Sequence, residues 1–388
     1  MRFTDTIQLE AWRTEVRGYI ARHWGEPEAG SEFFPLMGEW DEARVPAWLE
    51  ALAQRGWIAA AWPQEYGGAG LSMAEQFVLT QEITAAGAPT SRHMMNLVGP
   101  TIMLHGTPAQ KAAYLPPMLR GEAAWCQGFS EPGAGSDLAS LRTGAARDGD
   151  DYVISGQKIW TSGAHKSDWM FTLVRTDPTA PKHRGITYLL VDMRSPGIVV
   201  RPLLSLDGRH WFNEVFFDDV RVPIANRIGE ENVGWYVATS TLDFERSNIG
   251  LAMTAKRSLV RLARYLQSRP QMVTRTQRLE VADRAVEIAV SELLSYVVVE
   301  IQANGGVPNM EASRCKMFGT ELWQRLANTR MRIAGMPGQL LEPSGLELAH
   351  GLRTAAEYMN TLTTTIAGGT SEIQRNIIAT RGLGLPRG

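Results

Sequence analysis

Three textures of apolar and polar positions follow one another along the chain. Up to about residue 120, apolar residues recur at intervals of three and four: Trp12, Val16 and Tyr19, then Trp48-Leu49-Leu52, Phe77-Val78 and the stretch from Met94 to Leu104. That spacing places one apolar stripe along a helix. Pro63, Gly67-Gly68, Pro89 and Pro108 interrupt it and mark loops. From about Ala123 to Pro223 the period shortens. Tyr152-Val153-Ile154 sits between the turn signals Asp148-Gly149-Asp150 and Ser155-Gly156, and Lys158-Ile159-Trp160 follows. Further strand-like runs cover 169–174, 186–191, 198–200 and 215–222. Short strands at this spacing, without helices between them, predict hairpins in an antiparallel barrel or sandwich. After Gly234 the helical period returns, predicting helices over 234–268, 274–303, 310–334 and 350–366, and from Thr370 to about Arg381. Long helices with short connections pack as an up-down bundle. The chain therefore reads as α, then β, then α, with domains expected over 1–121, 122–232 and 233–388.

Composition narrows the field. A length of 388 residues accommodates two or three domains. Lys plus Arg is 39 against 41 for Asp plus Glu, a net charge of −2, so the basic excess that phosphate-backbone binding requires is missing, and nucleic acid is not an expected partner. No apolar run approaches the ~20 residues of a membrane helix. Cys126 and Cys315 are far apart and the seven histidines scattered, which fits neither a disulfide framework nor a metal site. The opening residues lack an apolar leader and carry Glu10 and Glu15, so the expected location is the cytoplasm.

Three local features carry candidate chemistry. Ser130-Glu131-Pro132-Gly133-Ala134-Gly135-Ser136-Asp137 follows the strand-like run from Trp125 to Phe129; it is either a surface turn or a loop whose open amides grip a polar ligand edge. Trp160-Thr161-Ser162-Gly163 brings an aromatic face and two hydroxyls to one point, as an ordinary sheet edge or as a seat for a flat heterocycle. Gly368-Gly369-Thr370-Ser371-Glu372 leads into a helix with Thr370 as N-cap, an arrangement that also suits a pyrophosphate.

In order, the stretches SEPGAGSD (130–137), KIWTSG (158–163), LDFER (242–246) and AGGTSEIQRNII (367–378), within an α–β–α chain, resemble the acyl-CoA dehydrogenase family. The likeness extends to Trp62–Gly68 and to Leu383–Pro386. It implies an α+β protein with an N-terminal helical domain, a middle antiparallel β-barrel and a C-terminal four-helix bundle, holding FAD. By the same resemblance Gln127, Phe129, Ser130, Gly135 and Ser136 line the flavin, with Ser136 also at the CoA end of the substrate. Trp160, Thr161 and Ser162 flank the ring, and Thr370, Ser371 and Glu372 lie near the ribose and pyrophosphate. The proton α to a thioester is weakly acidic, so a positioned carboxylate removes it as general base; burial raises that carboxylate toward working pH. The β hydrogen leaves as hydride to flavin N5. The expected product is a trans-2-enoyl-CoA, and the expected electron acceptor an electron-transfer flavoprotein.

The chain departs from the family pattern twice. Many members carry the base just before the Gly-Thr of the last motif, where this chain has Gly368. A branch resembling the isovaleryl-CoA enzymes carries it on a bundle helix before an Arg, which matches Glu245-Arg246. Glu245 is therefore the expected base, against the plainer fate of a helix-surface Glu in an ion pair. Asp243, Phe244, Arg246, Gly368 and Gly369 are expected at the substrate. Homotetrameric members also carry Arg-x-x-Phe-Gly and Gln-x-x-Gly-Gly elements that reach a neighbour's FAD. Here those stretches read Arg269-Pro270-Gln271-Met272-Val273 and Ala334-Gly335-Met336-Pro337-Gly338. Either the adenosine end is held differently or another subunit supplies the contacts, leaving a homodimer, a homotetramer and an α2β2 heterotetramer open. Alternatives are a flavin oxidase or monooxygenase on the same fold, and a non-catalytic, half-site subunit. The acyl group is expected to be branched, long or polycyclic, from fatty acid or steroid catabolism.

Overall fold

The structure, a computed structural model, describes residues 7–25, 44–90, 94–243, 249–342, 345, 350 and 352–386. The first helices are α1 (Ile7–His23), α2 (Val45–Gln54), α3 (Met73–Ala85), α4 (Met95–His105) and α5 (Pro108–Arg120). Strands follow: β1 (Trp125–Gly128), β2 (Gly144–Asp148), β3 (Asp151–Lys158), β4 (Trp169–Arg175), β5 (Ile186–Asp192), β6 (Ile198–Leu204), β7 (His210–Pro223) and β8 (Arg227–Ile228). The chain then returns to helix with α6 (Gly234–Asp243), α7 (Ile249–Gln267), α8 (Arg275–Ala303), α9 (Asn309–Ala334), α10 (Thr354–Thr364) and α11 (Ser371–Ile377). The described residues form two compact units, one drawn from 1–52, 70–90 and 246–388, the other from 53–69 and 91–245.

The first unit is helical. Helices α7, α8, α9 and α10 pack as the expected bundle, with α3 against α7 and α8. Phe77 of α3 meets Ile249, Ala252, Met253 and Val299 in one apolar cluster. Local chemistry sets the starts of its helices. The Ser72 side chain accepts from Glu75 N–H, and Glu75 accepts in return from Ser72 N–H; Thr274 and Gln277 repeat the arrangement at α8. Each such box satisfies two amides that a helix end would otherwise leave bare.

The second unit is built on one sheet, in the order β6-β7-β3-β2-β4-β5-β8, with β1 beside β4. Most pairs are antiparallel, as the turn signals predict. The exceptions are β1–β4 and the single Gly144–Arg175 contact, both parallel, which the long connection between β1 and β4 permits. Tyr152, Ile154, Met170, Leu189, Val191, Val215 and Val220 are fully buried in its core. Trp62, from the proline-interrupted stretch, is 1% exposed. It lies so close to α4 that a Cβ on Gly99 would stand 1.9 Å from its ring.

One expected turn is not a turn. Ser155-Gly156 lies inside β3, at a bulge where the register with β7 shifts between Ile154 and Gly156. Gly156 has φ +147, and a Cβ there would lie 2.7 Å from Thr143 Cα. The glycine thus marks a close backbone approach within a strand. The strand ends at Lys158, so Ile159-Trp160 lies beyond it. Gly156→Ala should lower the unfolding free energy by roughly 2 kcal/mol in urea denaturation. Gly133→Ala, which meets nothing within 4 Å, should stay within about 0.5 kcal/mol of the parent.

Candidate active site

The 130–136 loop leaves the end of β1 over a buried aromatic base. Gln127, half-buried in β1, pairs with Phe171 of β4. Phe129 is buried, edge-on to Phe171 at 5.7 Å and to Tyr188 at 6.1 Å. Glu131 and Ala134 exchange two backbone hydrogen bonds of 3.0 Å, folding Pro132 and Gly133 into a tight tip. Gly135 and Ser136 are exposed, and neither Gly133 nor Gly135 has an atom within 4 Å of where a Cβ would stand.

A buried ion pair ties this loop to the end of β3. Lys158 is 0% exposed; its Nζ donates to Glu131 Oε1 at 2.8 Å and to Phe129 O at 3.2 Å. Glu131 also accepts from Arg142 N–H at 2.6 Å and Thr143 N–H at 2.9 Å. Burial pulls the Lys158 ammonium down to about 8, against the pull of Glu131. Burial pushes Glu131 up, but the Lys158 charge and these hydrogen bonds outweigh it and hold the carboxyl below its ordinary value. One residue further on, Ile159 N–H donates to Ser130 O at 2.9 Å.

Immediately after this tie comes the 160–162 turn. Trp160 has φ +59, keeps its indole 59% exposed, and stands edge-on to Phe212 at 5.8 Å. Thr161 is completely buried, yet its Oγ1 has no hydrogen-bond partner among the described residues. Ser162 is half-buried. The sheet therefore brings Gln127, Phe129, Ser130, Trp160, Thr161 and Ser162 to one end of the second unit.

The last motif is in the first unit. Thr370 caps α11, its Oγ1 accepting from Ile373 N–H at 3.2 Å. Ser371 is buried, and its Oγ has no partner among the described residues. Gly368 and Gly369 precede them with φ +64 and +88. Their carbonyls are held by Gln374 Nε2 at 3.1 and 3.2 Å, and that of Gly369 also by Lys316 Nζ at 2.7 Å. Burial pulls the Lys316 ammonium down to about 8, opposed by Glu321 and Glu372. Glu372 is exposed, and its own N–H together with the Thr370 hydroxyl holds its carboxyl below the ordinary range. Asp243 closes α6, with its side chain outside what is described, and Phe244, Glu245 and Arg246 lie outside the described residues.

Sequence reasoning passed over Lys158, Glu131, Lys316 and Gln374. The first two stood inside the quoted motifs; a charge directly after strand-like residues and another beside Pro132 were the available signal. Gln374 stood inside the last quoted motif, and Lys316 carried no signal.

Family models of the acyl-CoA dehydrogenase N-terminal, middle and C-terminal domains match residues 9–122, 126–220 and 232–383. Acyl-CoA dehydrogenase FadE26 of Mycobacterium tuberculosis is 37% identical over 406 residues, spanning 100% of this chain and 99% of that protein. The solved Tcur3481-Tcur3483 steroid ACAD superimposes with a TM-score of 0.86 at 33% identity, covering 100% of both chains. The ChsE4-ChsE5 complex from M. tuberculosis gives 0.85 at 36%, again over 100% of both. The chain belongs to the acyl-CoA dehydrogenase family. It is an FAD-dependent oxidoreductase.

The residues present suit that cofactor. Thr161 offers a buried hydroxyl without a partner, Trp160 an exposed aromatic face, and the 133–135 tip open ground beside both strand ends. Ser371 offers a second unsatisfied hydroxyl in the first turn of α11.

Lys158→Met leaves Glu131 buried and unpaired, and should destabilise the protein by about 3–5 kcal/mol. Lys158→Met combined with Glu131→Gln should recover most of that loss in denaturant titration. Because the Glu131 pKa is lowered on folding, its contribution is present above the ordinary carboxylate range and fades as pH falls through the folded value. The stability gap between the parent and Glu131→Gln should therefore narrow in unfolding curves taken from about pH 6 to about pH 3.

Proposed function

We propose that the chain oxidises the α,β carbon–carbon bond of an acyl-CoA thioester to the trans-2-enoyl-CoA, with Glu245 as the base for the α proton. The observation that carries this reading is the turn at Gly368. Glycine stands where many family members hold the carboxylate, and among the described residues nothing lies within 4 Å of a Cβ there. The nearby carboxylate, Glu372, is exposed and held more acidic than usual, the opposite of what a general base at neutral pH needs. The proton must then go to another carboxylate, and Glu245, directly before Arg246, matches the alternative position.

In this reading Ser136 meets the CoA portion, Gly368 and Gly369 face the acyl group with Asp243 and Phe244, and Arg246 orients the Glu245 carboxylate. A base in this role requires a setting that raises its carboxylate toward working pH and keeps water from the α carbon. Bound FAD supplies the acceptor for the β hydride. Gln127, Phe129, Ser130, Gly135, Trp160, Thr161 and Ser162 hold its ring, while Thr370, Ser371 and Glu372 serve the ribose and pyrophosphate. Electrons pass on to an electron-transfer flavoprotein.

The partner is inferred to be a second, non-identical acyl-CoA dehydrogenase chain. Residues 269–273 and 334–338 lack both elements that homotetrameric members extend to a neighbour's cofactor, and the similar ChsE4-ChsE5 structure is a complex of two named chains. The substrate is inferred to carry a bulky, polycyclic acyl group, in keeping with the similarity to a steroid ACAD.

Anaerobic addition of substrate should bleach the flavin of Glu245→Gln roughly 10²–10⁴-fold more slowly than that of the parent; bleaching at the parent rate removes Glu245 from the role. Steady peroxide formation without an added acceptor would favour an oxidase instead. Purified alone, the chain should carry less than one FAD per chain and gain full occupancy only with its partner, as read from the visible spectrum and native mass. A yellow homo-oligomer with one FAD per chain would overturn the two-chain assembly.

A further inference from the structure

Trp160 combines two costs. Its bulky side chain sits on a left-handed backbone, φ +59, and more than half of it is exposed. Such a conformation persists only where the surroundings over-determine it. On the N-terminal side the restraint is the tie of Lys158 and Ile159 to residues 129–131. On the C-terminal side it is supplied by Asn213, in β7.

Asn213 is 0% exposed and grips both backbone polar groups of Thr161. Thr161 N–H donates to Asn213 O at 3.0 Å, and Asn213 Nδ2 donates to Thr161 O at 2.9 Å. With Nδ2 turned to that carbonyl, Oδ1 faces His210 Nε2 at 2.7 Å, which must then be the protonated nitrogen. The second Nδ2 hydrogen points to His165 Nδ1 at 3.2 Å. His165 and His210 stack at 3.9 Å and close the side of the cluster. Both donors and the oxygen of one buried amide are engaged, so its direction is fixed.

We propose that Asn213 is a positioning residue for the flavin: by holding Thr161 at both backbone groups, it aims the buried Thr161 hydroxyl and the exposed Trp160 ring at the cofactor. The inference rests on the reading that the 160–162 turn faces FAD. No side chain but an amide of this length both donates to the Thr161 carbonyl and accepts from His210. Asp keeps the size and the acceptor but has no hydrogen for that carbonyl and sets a carboxylate against it.

The test is FAD titration of the apoprotein of Asn213→Asp and Thr161→Val, followed by flavin fluorescence, with circular dichroism, the bound-flavin absorption bands and steady-state kinetics on the holoenzyme. Asn213→Asp should keep the parent fold, weaken FAD binding on the order of tenfold, alter the flavin bands, and lower kcat with little change in the KM for acyl-CoA. Thr161→Val should also weaken FAD binding. If Thr161→Val weakens FAD binding and Asn213→Asp leaves affinity and bands unchanged, the positioning role is wrong and the site reading stands. If neither variant changes them, the 160–162 turn does not face the flavin, and both fall. A lowered Tm with unchanged flavin bands and affinity assigns Asn213 to folding alone and overturns the proposal. Should the Asp variant not fold, Asn213→Ser, which is smaller and uncharged, gives the same readouts.

Discussion

An ammonium and a carboxylate withdrawn from water together hold one end of the sheet in register. Lys158 has no exposed surface, and its partner Glu131 accepts from two backbone amides as well as from the lysine. Neither charge tolerates losing the other, because an unpaired buried ion is far more expensive than the pair. The consequence is geometric. A loop that follows β1 and a turn that follows β3, 27 residues apart along the chain at this contact, are fixed to one another before any cofactor arrives. The left-handed Trp160 and the buried Thr161 hydroxyl sit directly downstream of that tie. A hydrophobic pair of equal volume would fill the space but would leave the amides of Arg142 and Thr143 and the carbonyl of Phe129 unsatisfied.

Where a pattern repeats, it was legible. The long helices α8 and α9 follow their apolar period, and Thr274 marks the start of α8 through the capping box with Gln277. The strands Trp169–Arg175 and Ile186–Asp192 are buried on nearly every residue, and their apolar runs announce them. Single residues that act through distant contacts were not legible. Ser155-Gly156 has the composition of a turn, but Gly156 is required by the approach of Thr143, a residue met only after folding. Asn213 sits in a strand with no pattern to set it apart, because its partners lie 48 and 52 residues away on the 160–165 segment. Lys158 reads locally as an ordinary exposed lysine; its burial depends on a carboxylate from another loop. The motif residues around 130, 160 and 370 were recognisable only as a set, through their order and likeness to a family. Each alone had an adequate structural explanation.

The electrostatics of the two motif-bearing turns differ in kind. At 130–158 the charges are buried, mutually neutralised and structural. At 368–375 they lie nearer the surface: Glu372 is stabilised as an anion by the start of α11, and Lys316 props the Gly369 carbonyl from α9. A helix start that favours anions suits a pyrophosphate and penalises a neutral acid. This short segment thus holds its carboxylate as an anion and not as a neutral acid.

Gly368 sits in a turn whose backbone is built for glycine. Its backbone has settled at φ +64, with the carbonyls of the turn held by Gln374 and Lys316. A glutamate introduced there would find room but would stand on a backbone that disfavours any side chain by roughly 1–2 kcal/mol. A side chain introduced here is best accommodated if the turn relaxes with it. Room and backbone geometry thus pull in opposite directions at this one turn: a side chain gains space there only by accepting a strained conformation.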